Sequence, residues 1–178
     1  MMMKMDIRNI DRIYVEPMNE NNLEFIDKNY LQVQRDYFAK DLINKYDCKY
    51  YFEKKGISSE APKYNSILIL FRMSNKIIAS AILNIVERYS DYYKEQHPEL
   101  ELKYNDGAYL LAKDSILVFE PIEEDELRQF MEFGGLRQNR ILKSKNEIDL
   151  EGLNNRINDN GVYKNRLLSG EINVEQVN

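Results

Sequence analysis

Apolar and polar positions change period several times along this chain, and each change predicts an element. "RIYVEPM", Arg12 to Met18, alternates and stops at Pro17, which predicts a first strand. From Asn21 to Tyr46 the apolar residues Leu23, Phe25, Ile26, Tyr30, Val33, Tyr37, Phe38 and Leu42 recur at helical spacing, with Asn21 or Asn22 placed to cap the start. "CKYYFEKKG" predicts a short strand ending at Gly56. "SILILF" is apolar throughout, the pattern of a strand buried on both faces. "RMSNK" follows as a tight turn in which Ser74 and Asn75 take left-handed conformations, and "IIASAILNIVERY" returns as the second arm of a hairpin. The small residues Ala79, Ser80 and Ala81 within that arm mark a close approach or a bend.

The polar stretch "SDYYKEQHPELELKYNDG" predicts a loop with a short extended piece. "AYLLAKDSILVFEPI" predicts two strands split at Lys113-Asp114, the second ending at Pro121. "EEDELRQFMEF" opens a helix whose first-turn acids suit the helix dipole, and Gly134-Gly135 breaks it. "DLEGLNNRINDNGVYKNRLL" holds one or two short helices, and "SGEINVEQVN" reads as a frayed terminus. Short strands clustered between helices predict an α+β fold, a small and mostly antiparallel sheet curling into a partly open barrel. The barrel domain spans residues 1–133, and residues 134–178 form a basic loop with a short helical extension packed on it or trailing from it.

Composition narrows the chemistry. The 178 residues suit one domain with a real core, at 43% hydrophobic and 31% charged. No apolar run reaches the roughly 20 residues needed to span a bilayer, and "MMMKMDIRN" lacks the apolar block of a secretory signal. A cytoplasmic protein is expected. A single cysteine, Cys48, excludes an internal disulfide and reads as a packing residue at a helix end. The formal net charge of −5 counts against bulk electrostatic attraction to nucleic acid but leaves room for a local cationic patch.

Candidate chemistry is sparse. No G-x-S-x-G elbow, Cys–His pair or glycine-rich phosphate cradle is present. His97, the only histidine, sits between Glu95 and Glu99 in a proline-containing loop, where alternating residues face water rather than a cation; no metal and no cofactor are expected. The run Glu120, Glu123, Glu124, Asp125 and Glu126 is explained by a helix N-terminus. Between Gly135 and Asn146 lie Arg137, Arg140, Lys143 and Lys145 with no acid among them, while Gln138 and Asn139 add amides suited to base edges. "YDCKYYFEKK" interleaves rings with lysines: Tyr50 and Phe52 share one face of a strand and Tyr51 takes the other. One face enters the core; the other is open to stacking on a base, worth on the order of 1–3 kcal/mol.

"NSILILFRMSNKIIASAIL" resembles the strand pair of PUA-like domains, particularly their EVE and ASCH branches. "KYNDGAYLLAKDSILVFEPIEEDEL" resembles the segment that follows in relatives attached to restriction-type nucleases, through Tyr104, Asn105, Gly107, Tyr109, Ser115, Ile116, Phe119, Pro121 and Ile122. The likeness covers roughly residues 50–133. Asn65-Ser66 replaces the usual Gly-Asp before the buried strand, and Ala79 stands where glycine is common. The resemblance implies a small barrel that binds nucleic acid by holding a modified or flipped base between strands, as in phage-defence systems. On that reading Tyr50, Phe52, Tyr104 and Tyr109 form the base pocket, and Arg137, Gln138, Arg140, Lys143 and Lys145 hold the nucleic acid.

Three functions from different classes follow. The first is this noncatalytic nucleic-acid binder, with DNA or RNA as partner. The second is a protein-interaction module, inhibitor- or antitoxin-like and encoded by a phage or mobile element, that meets a single protein partner through its acidic surface. The third is an acetyl-CoA-dependent acyltransferase, suggested by the early helix and the long hairpin but lacking a glycine in "NIVERYSDYYKE" where a pyrophosphate cradle belongs.

Overall fold

The computed structural model describes residues 6–18, 25–53, 66–100, 106–131, 149–159 and 161–175, and the backbone of 141–143. Its elements are β1 (Arg12–Pro17), helix α1 (residues 30–44), β2 (Lys49–Phe52), β3 (Ile67–Met73), β4 (Lys76–Arg88), α2 (Asp91–Gln96), β5 (Gly107–Leu111), β6 (Leu117–Glu123), α3 (Glu124–Leu127), β7 (Ile141–Lys143), α4 (Leu150–Asn158) and α5 (Gly161–Ser169). The α+β class is as expected. The sheet runs β2-β5-β4-β3-β1-β7, with β6 paired to β4 beside that path. All pairs are antiparallel except β1 with β3. Among the described strands no bond joins β2 to β7, so the sheet is open and the expected curl does not close into a barrel.

The hairpin β3–β4 forms where the pattern places it. Ser74 and Asn75 carry φ of 52° and 62°, the paired left-handed conformations whose twist matches the flanking strands. β4 is long enough to serve two neighbours on its other edge. Residues Lys76–Ser80 pair with β6 and Leu83–Arg88 pair with β5. β5 and β6 therefore do not form a second hairpin; they lie end to end along β4, separated by a bend at Asp114 with φ 67°. Ser115 fastens the bend, its hydroxyl donating to the Ala112 carbonyl (2.7 Å) and accepting from the Ile82 amide (2.9 Å). β6 also continues through Pro121 to Glu123, two residues past the expected stop.

Both faces of the sheet are covered. One core gathers Tyr14, Ile69 and Phe71 of the sheet with Leu31, Val33, Tyr37, Phe38 and Leu42 of α1. The other joins Ile13, Val15, Leu68, Leu70, Leu117 and Phe119 to Leu127, Leu153 and Ile157. This two-sided burial explains the unbroken apolar run of β3, whose Leu68, Ile69, Leu70 and Phe71 are all within 1% of complete burial. Each such side chain contributes about 1.5–3 kcal/mol against its exposed state.

Helix α1 starts later than its apolar spacing predicts. Residues 25–27 form a turn, with Asp27 at φ 61°, and Asn29 is the cap. Asn29 and Gln32 make a reciprocal capping box at 2.9 Å in both directions. The predicted caps Asn21 and Asn22 lie outside the described residues. Val33–Asp41 is wound as a π-helix, a rare geometry frequent at functional sites. It turns Gln34 inward, where it is fully buried. At Ile78 the β3 and β6 ladders both lose register, and the Gln34 amide donates to the carbonyls of Ile78 and Phe119, each at 2.9 Å. The Tyr163 hydroxyl of α5 completes the arrangement by donating to Gln34 Oε1 at 2.6 Å. Two expectations are corrected nearby. The stretch after β4 begins with a helix, α2, capped by Ser90. The chain end is packed as far as Val174, which is 4% exposed and whose carbonyl accepts from Asn29 at 2.7 Å.

Candidate functional site

β2 and β5 bring Tyr50 and Tyr109 into register as cross-strand partners, and their rings stack at 5.9 Å and 8°. Phe52 stacks on Tyr109 at 4.5 Å, and Phe71 meets Tyr50 at 4.7 Å. Tyr50, Phe52 and Tyr109 are 2%, 3% and 0% exposed. The structure brings these three predicted pocket residues together as interior packing, with their faces against one another and against Phe25, Tyr37 and Phe71. Tyr51, on the alternate face of β2, is half-buried at the surface. Tyr104, Arg137, Gln138, Arg140 and Lys145 lie outside the described residues. Lys143 belongs to β7 at one edge of the sheet, opposite Arg12 in register.

The aromatic core contains a carboxyl that the strand pattern did not single out. Glu16 is only 5% exposed and accepts a hydrogen bond from the Tyr109 hydroxyl at 2.8 Å. Burial pushes its carboxyl up to about 7, against the opposing pull of that hydrogen bond and the Arg72 charge. The same burial, with Glu16 adding to it, holds the Tyr50 hydroxyl well above the ordinary tyrosine range. The signal was present in "RIYVEP": Tyr14 and Glu16 share a face by alternation, so a core-facing Tyr14 forces an acid inward beside it.

A groove of about 920 Å³ opens elsewhere, between β6–α3 and the α4–α5 pair. Glu120, Glu123, Asp125, Glu126 and Asp159 line it, against Arg156 and Arg166. Both guanidiniums are already engaged. Arg156 pairs with Glu126 at 2.5 Å and donates to the Glu120 and Pro121 carbonyls, and Arg166 pairs with Glu171 at 3.5 Å. Glu123 and Asp125 have distant partners, Lys76 at 3.9 Å and Arg128 at 3.7 Å. Glu120 and Asp159 make no ion pair among the described residues. The groove thus carries a negative excess, with Tyr163 in its wall and Val162, 72% exposed, beside it.

The acidic run does open α3, with Glu124, Asp125 and Glu126 in the first turn. Its second role, as one wall of a groove, depends on helices some thirty residues later in the chain. His97 pairs with Glu99 at 3.2 Å, and no group of three or more metal-binding side chains occurs among the described residues. Compared with models of protein families, with curated proteins and with solved structures, the chain matches none.

Proposed function

We propose that this chain is a noncatalytic protein-interaction module that receives a basic segment of a protein partner in the groove between β6–α3 and α4–α5. The observation that carries this reading is the charge state of the groove: its two arginines are matched by glutamates, leaving Glu120 and Asp159 without an ion pair among the described residues. Such carboxylates attract lysine or arginine, and exposed pairs of this kind act on specificity and association rate more than on affinity. Val162 adds apolar area for the stem of a long cationic side chain. Titration calorimetry with arginine-rich peptides at low and high salt tests the reading. The expected result is salt-sensitive binding that the double substitution Glu120→Gln, Asp159→Asn weakens at least several-fold. Equal affinity of the double variant, or no heat at low salt, refutes it.

A second reading, nucleic-acid binding by the basic segment, is favoured by the position of β7. That strand sets the backbone of Lys143, one of the predicted cationic residues, at a sheet edge in register with Arg12, whose own guanidinium pairs with Asp11 at 2.9 Å. On this reading Arg137→Ala with Arg140→Ala weakens oligonucleotide binding across sequences and flattens its salt dependence. Absence of affinity at low salt, for normal and modified bases alike, excludes it.

A further inference from the structure

Two runs of opposite charge stand near each other in sequence and apart in the fold. Five acids occupy seven positions from Glu120 to Glu126, and four cations, Arg137, Arg140, Lys143 and Lys145, lie between Gly135 and Asn146 with no acid among them. The acidic run supplies one wall of the groove, in which exposed Glu120 and Asp159 make no ion pair among the described residues.

The basic run passes through β7, on the far side of the sheet from that groove. β7 pairs with β1, and the path from there to β6 crosses β1, β3 and β4. Four strand spacings of about 4.8 Å put the Lys143 backbone roughly 19 Å from β6, beyond the span of a lysine side chain. Nor does β1 offer the run a carboxylate in register. The positions across from Ile141, Leu142 and Lys143 are Tyr14, Ile13 and Arg12, and Arg12 is itself paired with Asp11 at 2.9 Å. The one acid of β1, Glu16, is buried and accepts from Tyr109.

From this separation we infer, resting on the reading of the groove given above, that its basic partner segment is Gly135–Asn146 of a second copy of this chain. An acid-free run meets no like charge from the carboxylates of the groove, and complementary charge of this kind fixes the partner and the register. Each copy carries the two halves of the contact at different places. Association is therefore head-to-tail, closing into a ring where the rotation permits and extending otherwise. The net charge of −5 on every copy opposes general contact between chains, which confines attraction to this one pairing.

Sedimentation velocity of the full chain, from micromolar to millimolar concentration, is the test. Mass should rise with concentration at low salt and return toward the monomer at high salt. Glu120→Lys with Asp159→Lys, and separately Arg137→Glu with Arg140→Glu, should each weaken self-association by about tenfold or more. The two double variants, once mixed, should associate with each other, because an intact groove on one then meets an intact basic run on the other. That recovery also shows both variants to be folded. A synthetic Gly135–Asn146 peptide should bind the unaltered chain and return its oligomers to monomer, a result independent of any variant. The inference is overturned by a chain that stays monomeric at every concentration, by oligomers indifferent to salt or to the peptide, or by a mixture no more associated than its components. Arginine-rich peptides that bind a strictly monomeric chain remove this partner and leave the groove reading standing. Absence of both peptide binding and self-association removes the two together.

Discussion

Replacing Glu16 by glutamine removes a buried titratable group while keeping an acceptor for Tyr109. In the folded chain burial raises the Glu16 carboxyl to about 7 from an ordinary 4.5; unfolded, it returns to the ordinary value. Between those two values the unfolded chain holds fewer protons than the folded one, so stability falls as pH rises. The contribution is fully present below the unfolded value, is lost progressively as pH climbs through about 7, and is level above it. A span of about 2.5 units at about 1.36 kcal/mol per unit amounts to roughly 3 kcal/mol. That is a large share of the roughly 5–15 kcal/mol by which domains are stable. Urea melts of parent and Glu16→Gln at pH 5 and pH 8 measure it. With a slope of about 1–3 kcal/mol per molar urea, the midpoint of the variant should gain roughly 1–3 M on the parent between the two conditions. Other titrating groups, including Asp36 and Glu99 with their lowered pKa values, are common to both proteins and cancel in the comparison. A gap between parent and variant that stays constant from pH 5 to 8 refutes the argument that the folded chain holds this carboxyl protonated.

Three further outcomes are expected. Gln34→Leu removes the donor to Ile78 and Phe119 and leaves the Tyr163 hydroxyl without its acceptor; at about 1–3 kcal/mol for each buried group left unpaired, a loss of several kcal/mol should appear in chemical denaturation. Gly107→Ala places a methyl against the Phe52 ring and the Glu87 carbonyl, so it should destabilise by about 1–3 kcal/mol and lower the thermal midpoint, whereas Gly170→Ala meets no neighbour and is limited to the strain of its φ of 85°. Asn75→Val forces a β-branched residue into a left-handed turn and should cost about 1–2 kcal/mol, while Asn75→Gly should be nearly neutral, both read from denaturation midpoints.

The hairpin was legible because its signals are local: two turn residues suited to positive φ, flanked by β-branched arms. β3 was legible because five consecutive apolar positions, Ile67 to Phe71, left no polar face. α2 was not, since its six residues bury nothing and its stability rests on a serine cap and a lysine reaching Asp106. The alternation of β2 correctly separated Tyr50 and Phe52 from Tyr51. Both faces are aromatic, however, and the choice of the inward one depends on Phe71, Tyr109 and Glu16, which arrive from three other strands. Sheet closure was similarly beyond local reading. The register shifts at Phe71/Arg72, Ile77/Ala79 and Leu83/Ile85, together with the end-to-end β5 and β6, set the path of the sheet, and none has a distinctive sequence mark. The acidic groove needed the same long-range information, because its acids from Glu120 to Glu126 precede the helices that face them.

The parallel contact between β1 and β3 bears on the order in which a newly made chain becomes safe from aggregation. β1 is synthesised before either neighbour, β3 or β7, and it supplies Ile13 and Val15 to one core and Tyr14 to the other. On a ribosome this strand therefore waits, apolar on both sides, until Ile67–Met73 has emerged, while the β3–β4 hairpin needs only its own two-residue turn. Chaperone binding during translation should concentrate on Arg12–Pro17, and a fusion partner that delays that strand's docking should lower soluble yield more than one attached after Val174.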